Sequence, residues 1–348
     1  MKNTFSRVIP LVLSFCLLAA LFAFTGCAPK EIVNVYNWGE YIDESIFGDF
    51  EKETGIKVVY RTFDSNESMY TLLSGGGADY DVVIPSDYMI SRLIAEDKLA
   101  KLDFGNIPNF ADINANYKSR NYDPNNEYSV AYMWGTVGLI YDPNVVTEPV
   151  TDWSPLFDEK YSEQIIMFDN PRDAIAIALG KLGYSLNTTD KGELDAALAL
   201  LQEQKPLLYG YMMDDIYNKL SGGEAALGPY YAGDYVQMLE DNPDLEFTLP
   251  NGSNIFIDAM CVLKNAKHKT NAEKFINFMC SPEIGLRNVD ATGYSTPSDV
   301  VYGLLDEETK NDPVMYPPQE VIETLEGFVN LPPETLEWYN TAWIDLKL

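Results

Sequence analysis

Aromatic and acidic side chains recur in this chain at one kind of place, just past short apolar runs that read as β-strands. Trp38, Gly39, Glu40 and Tyr41 follow the run Ile32-Val33-Asn34-Val35-Tyr36, and Ser86 and Tyr88 follow Asp81-Val82-Val83-Ile84-Pro85. Asn170 and Asp173 follow a run from Gln164 to Phe168, and Tyr230 and Tyr231 follow an apolar stretch ending at Leu227. Phe256 and Asp258 lie inside a late run from Ile255 to Leu263, and Tyr294 sits in the turn Gly293-Tyr294-Ser295-Thr296-Pro297. Taken singly, each large aromatic is ordinary core material and Ser86 an ordinary helix cap. Open α/β sheets, however, bind ligands beyond the carboxyl ends of their strands. Carboxylates there take up charged nitrogens, while aromatic faces attract both cations and methylenes. That combination suits an aliphatic polyammonium ion.

The elements that must position these residues alternate. After the first strand, Ile42, Ile46, Phe47 and Phe50 fall on one face of a helix, and Ile56 to Tyr60 forms the next strand, which makes a βαβ unit with a parallel sheet. A helix over Glu67 to Ser74 ends at Gly75-Gly76-Gly77, which lacks the spacing of a phosphate loop. A second alternating region begins near Tyr132, with strands at Val137 to Tyr141 and Gln164 to Phe168 and a helix from Asp173 to Leu182. Asp190-x-x-Glu193 and Thr270-x-x-Glu273 read as helix caps, and Ser281-Pro282 opens a further helix. The absence of a glycine- and serine-rich linker is what two α/β lobes joined by several short crossovers would give.

Export chemistry stands at the front. Lys2 and Arg7 are the only charges before Lys30, an apolar run from Val8 to Phe24 follows them, and Thr25-Gly26-Cys27 closes it. This is a lipoprotein signal over residues 1–27, leaving Cys27 acylated; an uncleaved membrane anchor is the alternative. The chain carries 53 acidic and 24 basic residues for a net charge of −29, which repels nucleic acid and anionic lipid and attracts cations. Acidity also serves solubility, so the charge alone names no ligand. Cys261 and Cys280 remain as one conceivable disulfide. The single histidine, His268, lies in a basic, solvated-looking segment, which excludes a histidine-rich zinc site or a histidine-based hydrolase, and no cofactor is expected.

Six segments together give the chain a recognisable cast: Tyr36-Asn37-Trp38-Gly39-Glu40-Tyr41, Glu53-Thr54-Gly55-Ile56-Lys57-Val58, Asp64-Ser65-Asn66-Glu67-Ser68-Met69-Tyr70, Tyr80-Asp81-Val82-Val83-Ile84-Pro85-Ser86, Asp123-Pro124-Asn125-Asn126 and Lys181-Leu182-Gly183-Tyr184-Ser185. Over almost the whole length after the leader, the chain resembles the extracytoplasmic spermidine/putrescine-binding proteins of ABC importers. The resemblance implies the type II periplasmic-binding-protein fold, with two α/β lobes, each a mostly parallel sheet flanked by helices, and a ligand cleft between them. It places lobe 1 at 31–135 with 259–298 and lobe 2 at 136–258 with 299–348. It also implies a non-enzymatic monomer, lipid-anchored on the periplasmic or extracellular face of the cytoplasmic membrane, that serves a membrane permease.

Carried over by position, Trp38, Tyr41, Ser86, Tyr88, Asp258 and Tyr294 match pocket residues of that family in kind, and Glu40 lies among them. Asp173 stands where the family often has a longer glutamate. Tyr231 and Phe256 stand where the spermidine binders have tryptophans, Asn170 where they have an aspartate, and Gly39 where they have a hydroxyl residue. One amine anchor is thereby lost, with Glu40 or Asp87 as replacements, so the choice among putrescine, spermidine and spermine stays open. Two other functions use the same residues. Tyr230-Tyr231 with nearby carboxylates would suit ferric ion, and a pair of carboxylates across a cleft would suit a secreted hydrolase.

Overall fold

A computed structural model of the chain describes residues 31–76 and 79–348. The signal segment and Cys27 lie outside the described residues. Among the described residues nine strands carry the fold: β1 (Ile32–Trp38), β2 (Lys57–Phe63), β3 (Val82–Val83), β4 (Ser129–Tyr141), β5 (Ile165–Phe168), β6 (Leu208–Met212), β7 (Leu227–Tyr231), β8 (Glu246–Thr248) and β9 (Ile255–Val262). They order as β2-β1-β3-β9-β4-β7-β5-β6, with β8 also paired to β4.

Parallel pairing is confined to the two ends of this order. β1 lies parallel to β2 and β3, and β5 parallel to β6 and β7, each set formed by the expected βαβ alternation. The centre is antiparallel, because β9 pairs with β3 and β4, and β4 pairs with β7 and β8. Each half therefore keeps a mostly parallel set of strands, β1, β2 and β3 in one and β5, β6 and β7 in the other, and the antiparallel pairs all involve β4 or β9. β4 joins the halves: its first part pairs with β9 and its last part with β7 and β8, so one strand crosses from one half of the molecule to the other. All thirteen of its residues are buried, as a strand covered on both faces requires.

Helices cover the sheet where the apolar spacing placed them, with local corrections. The first helix is Ile46–Thr54, so Ile42 is buried in the turn before it rather than on its face. Gly55, at φ 74°, ends that helix in the left-handed conformation that glycine adopts without penalty. Asp190 caps Lys191–Gln204 through the N–H groups of Gly192 and Glu193. Thr270 is not the cap, because it lies inside the helix. Its helix, Lys269–Met279, starts after His268, and the Glu273 carboxylate instead accepts from the Asp103 backbone N–H and Asn106 Nδ2, both at 2.8 Å.

His268 is not simply solvated either: its backbone N–H and Nδ1 approach the buried Asp81 carboxylate at 2.9 and 3.0 Å. Cys261 and Cys280 are both buried and free. Asp299–Leu304 packs on Pro282–Thr292, whereas the C-terminal helix Pro333–Lys347 packs on Pro171–Leu182 and Lys191–Gln204. Among the described residues no helix is long and apolar enough to cross a membrane.

Candidate functional site

The carboxyl ends of β1, β3, β5 and β7 and the first half of β9 converge on one cavity enclosing roughly 730 Å³ with its opening. β1 delivers Trp38, Gly39, Glu40 and Tyr41 to its wall. Trp38 is held by its indole N–H, which donates to the Ile84 carbonyl at 2.9 Å, and by Phe63, whose ring centroid is 4.7 Å away. Tyr41 points its phenol at Asp258 Oδ2, 2.8 Å away, and meets the Tyr294 ring edge-on at 4.6 Å.

The end of β3 supplies Ser86 and Tyr88. Ser86 begins the helix Asp87–Ala95 without capping it through its side chain; its hydroxyl accepts from Asn66 Nδ2 at 3.0 Å. The Tyr88 phenol donates to Glu67 Oε1 at 2.8 Å. After β5, Asn170 caps the helix Pro171–Leu182, whose proline occupies the first turn where its missing N–H is harmless. The Asn170 side chain accepts from the Asp173 N–H at 2.8 Å and donates to Asp173 Oδ2 at 2.6 Å.

β9 places Phe256 and Asp258 beside a register shift in β4 between Ala131 and Met133. The extra residue, Tyr132, turns its phenol to the Tyr41 carbonyl at 2.8 Å, so the bulge braces the tyrosine that holds Asp258. Tyr231 at the end of β7 meets Phe256 edge-on at 5.6 Å. All thirteen residues singled out at the strand ends, in the late run and in the turn 293–297 line this one cavity, Tyr230 included.

Residues 45–317 match the family of bacterial extracellular solute-binding proteins. The chain belongs to that family. The spermidine/putrescine-binding periplasmic protein of Escherichia coli is 35% identical over 83% of this chain and 84% of its own length. The putrescine-binding periplasmic protein SpuD of Pseudomonas aeruginosa is 30% identical over 97% of both chains. Among solved structures, a Listeria monocytogenes protein named for a spermidine/putrescine ABC transporter is 38% identical, with a TM-score of 0.88 over 91% of this chain and 99% of its own.

In this solute-binding protein the cavity is electrically one-sided. Among the described residues eight carboxylates line it, those of Glu40, Asp64, Glu67, Asp87, Asp173, Asp214, Asp234 and Asp258, and no lysine, arginine or histidine does. Burial pushes Asp87, Asp173, Asp234 and Asp258 each up to about 7. Hydrogen bonds to the charged forms oppose the rise, from the Tyr88 N–H to Asp87, Asn170 to Asp173, Tyr294 to Asp234, and Ser86 and Tyr41 to Asp258. Burial also raises Glu67 and Asp214.

Several lining residues escaped the strand-end pattern. Glu67 sits in the segment Asp64-Ser65-Asn66-Glu67, visible only as a family likeness. Asp234 was readable as an acid in the first turn after the Tyr230-Tyr231 strand end. Asp214 and Phe328 come from irregular segments, where no periodicity announces a direction. Tyr230, which the strand-end pattern does include beside Tyr231, is a buried wall residue.

Proposed function

We propose that the chain captures a polyamine, spermidine or putrescine, outside the cytoplasmic membrane and delivers it unchanged to an ABC importer. One observation carries this reading: among the described residues, eight carboxylates and eight aromatic side chains line the cavity and no basic residue does. Such a wall is costly to bury empty and is offset by a flexible chain of ammonium groups and methylenes. The names of the relatives in Escherichia coli and Pseudomonas aeruginosa support the same ligand class.

In this reading Asp173 and Asp258 take ammonium groups, and Trp38, Tyr88, Tyr231 and Phe256 enclose the carbon chain. The lobes are 31–135 with 259–298 and 136–258 with 299–348, with the contact between Asp299–Leu304 and Pro282–Thr292 falling across that division. They close about β4 and β9, and the ligand favours closure only by binding the closed form more tightly than the open one. Lipid on Cys27 keeps the monomer beside its permease. No catalytic step is required.

Ferric ion is the weaker reading. Burial raises the phenols of Tyr230 and Tyr231 well above their usual range, which disfavours the phenolates that iron needs. The deciding experiment is calorimetric titration of the chain with putrescine, spermidine, spermine and ferric citrate. Saturable binding of a polyamine is expected, with Asp258→Asn weaker by about 1.5–3 kcal/mol. Heat with iron alone would reverse the assignment.

A further inference from the structure

Asp87 and Asp258 are two buried acids on neighbouring segments, and among the described residues neither is in an ion pair. Ser86 and Asp258 form an antiparallel bridge, and the Ala259 N–H donates to the Pro85 carbonyl at 3.1 Å, so residues 86–87 and 257–258 run side by side. The two acids are 7% and 3% exposed, and both line the cavity. Asp87 Oδ1 accepts from the Tyr88 N–H at 2.7 Å, and Asp258 Oδ2 from Tyr41. Asp258 Oδ1 is buried with no partner at ordinary hydrogen-bond distance among the described residues, although the Ser86 hydroxyl also favours the charged acid.

Arg172 is a fixed positive charge that acts on Asp87, but its guanidinium donates its hydrogen bonds elsewhere. It donates to the Leu186 carbonyl, the Tyr339 phenol and Asn187 Oδ1. Two carboxylates buried together repel each other when both ionise, and a buried acceptor without a donor is costly. A cation with N–H donors entering from the cavity would relieve both.

We propose that Asp87 and Asp258 together form an ammonium subsite, with Asp87 supplying the charge that Asn170 lacks. This rests on the polyamine reading. Asn170 is no substitute, since both ends of its amide are held by Asp173. Asp87 also differs in kind from a packing residue. A buried carboxylate on a segment running beside that of a second one, in the same cavity, destabilises the empty protein and becomes useful only when a cation arrives.

The test is calorimetry with putrescine, spermidine and spermine, together with thermal melting of the empty protein. It compares the full chain in mild detergent with Asp87→Asn, Asp258→Asn and their double variant. Asp87→Asn is expected to lower affinity about tenfold to a hundredfold, the range for one charge-assisted hydrogen bond, while raising the melting temperature of the empty protein. The double variant is expected to lose less than the product of the single losses, because both acids serve one ammonium group. Asp87→Thr, which keeps an acceptor for the Tyr88 N–H, is expected to move both readouts in the same directions. Affinity within threefold of wild type would overturn the subsite, and so would a fall in both affinity and melting temperature, which marks a packing role. Wild-type silence with all three polyamines would sink the reading beneath it, whereas tight wild-type binding unchanged in Asp87→Asn would sink the subsite alone.

Discussion

The ring of Tyr294 lies against the bare Cα of Gly233, so closely that a β-carbon there would stand 2.2 Å from Tyr294 Cδ2. The Tyr294 phenol also donates to the carboxylate of Asp234, the next residue along. One turn after the helix Pro282–Thr292 is thus seated on the first turn of the helix Ala232–Asp241.

Gly233→Ala tests that seat. Alanine in a helix is favoured over glycine by roughly 1 kcal/mol, but displacing a packed ring costs about 1–3 kcal/mol, so the steric term wins. The variant is expected to melt lower and to bind polyamine more weakly, because Tyr294 also forms the edge contact with Tyr41. An unchanged melting temperature with unchanged affinity would show that Tyr294 moves aside freely.

Tyr41→Phe removes the donor to Asp258 Oδ2 and leaves the ring. Because that hydrogen bond favours the charged carboxylate, its loss raises Asp258 above its present value of about 7. Affinity near pH 7 is expected to fall about tenfold, as for loss of one hydrogen bond to a charged group, and to recover in part by pH 9. Titration at the two pH values checks this, and a deficit that does not change with pH would assign Tyr41 a packing role instead.

The places where the fold was legible in the sequence are those where chemistry is local. The run Ile32 to Tyr36 became β1, Asp190-x-x-Glu193 became a cap, and the strand ends at Trp38, Ser86, Asn170 and Tyr231 meet at one cavity. What was hidden depended on distant partners. Thr270-x-x-Glu273 has the letters of a cap, but Glu273 is drawn to Asp103 and Asn106. His268 sits in a basic segment yet finds Asp81, far away in sequence. Asp214 joins the wall because Gly39 has no side chain: a β-carbon there would stand 2.9 Å from Asp214 Oδ2, a contact no local pattern contains.

Asn170 has a role that needs no ligand. Its side chain accepts from the Asp173 N–H at the start of Pro171–Leu182. Asn170→Ala is expected to lower stability by about 1 kcal/mol, the usual value of such a cap, measurable by denaturant unfolding. Asn170→Asp keeps the acceptor but loses the donor to Asp173 Oδ2 and adds a like charge beside it. Asn170→Asp is therefore expected to raise the Asp173 carboxyl further rather than restore a free anchor.

The four acids near 7 give the stability of the empty protein and its affinity for polyamine opposite pH responses. Each has a folded value above its ordinary 3.8, so between those limits the folded chain holds more protons than the unfolded one. Their contribution to stability is therefore fully present below about 3.8 and is lost as pH rises through about 7. From these groups the empty protein should be more stable at pH 5.5 than at pH 8. Polyamine binding requires the charged forms, so affinity should rise over the same interval, with protons released on binding near neutral pH. Melting curves at the two pH values, with and without ligand, measure both trends. The stabilisation added by a polyamine should be greater at pH 8 than at pH 5.5, and an increment that shrinks with rising pH would mean that the buried acids do not meet the cation.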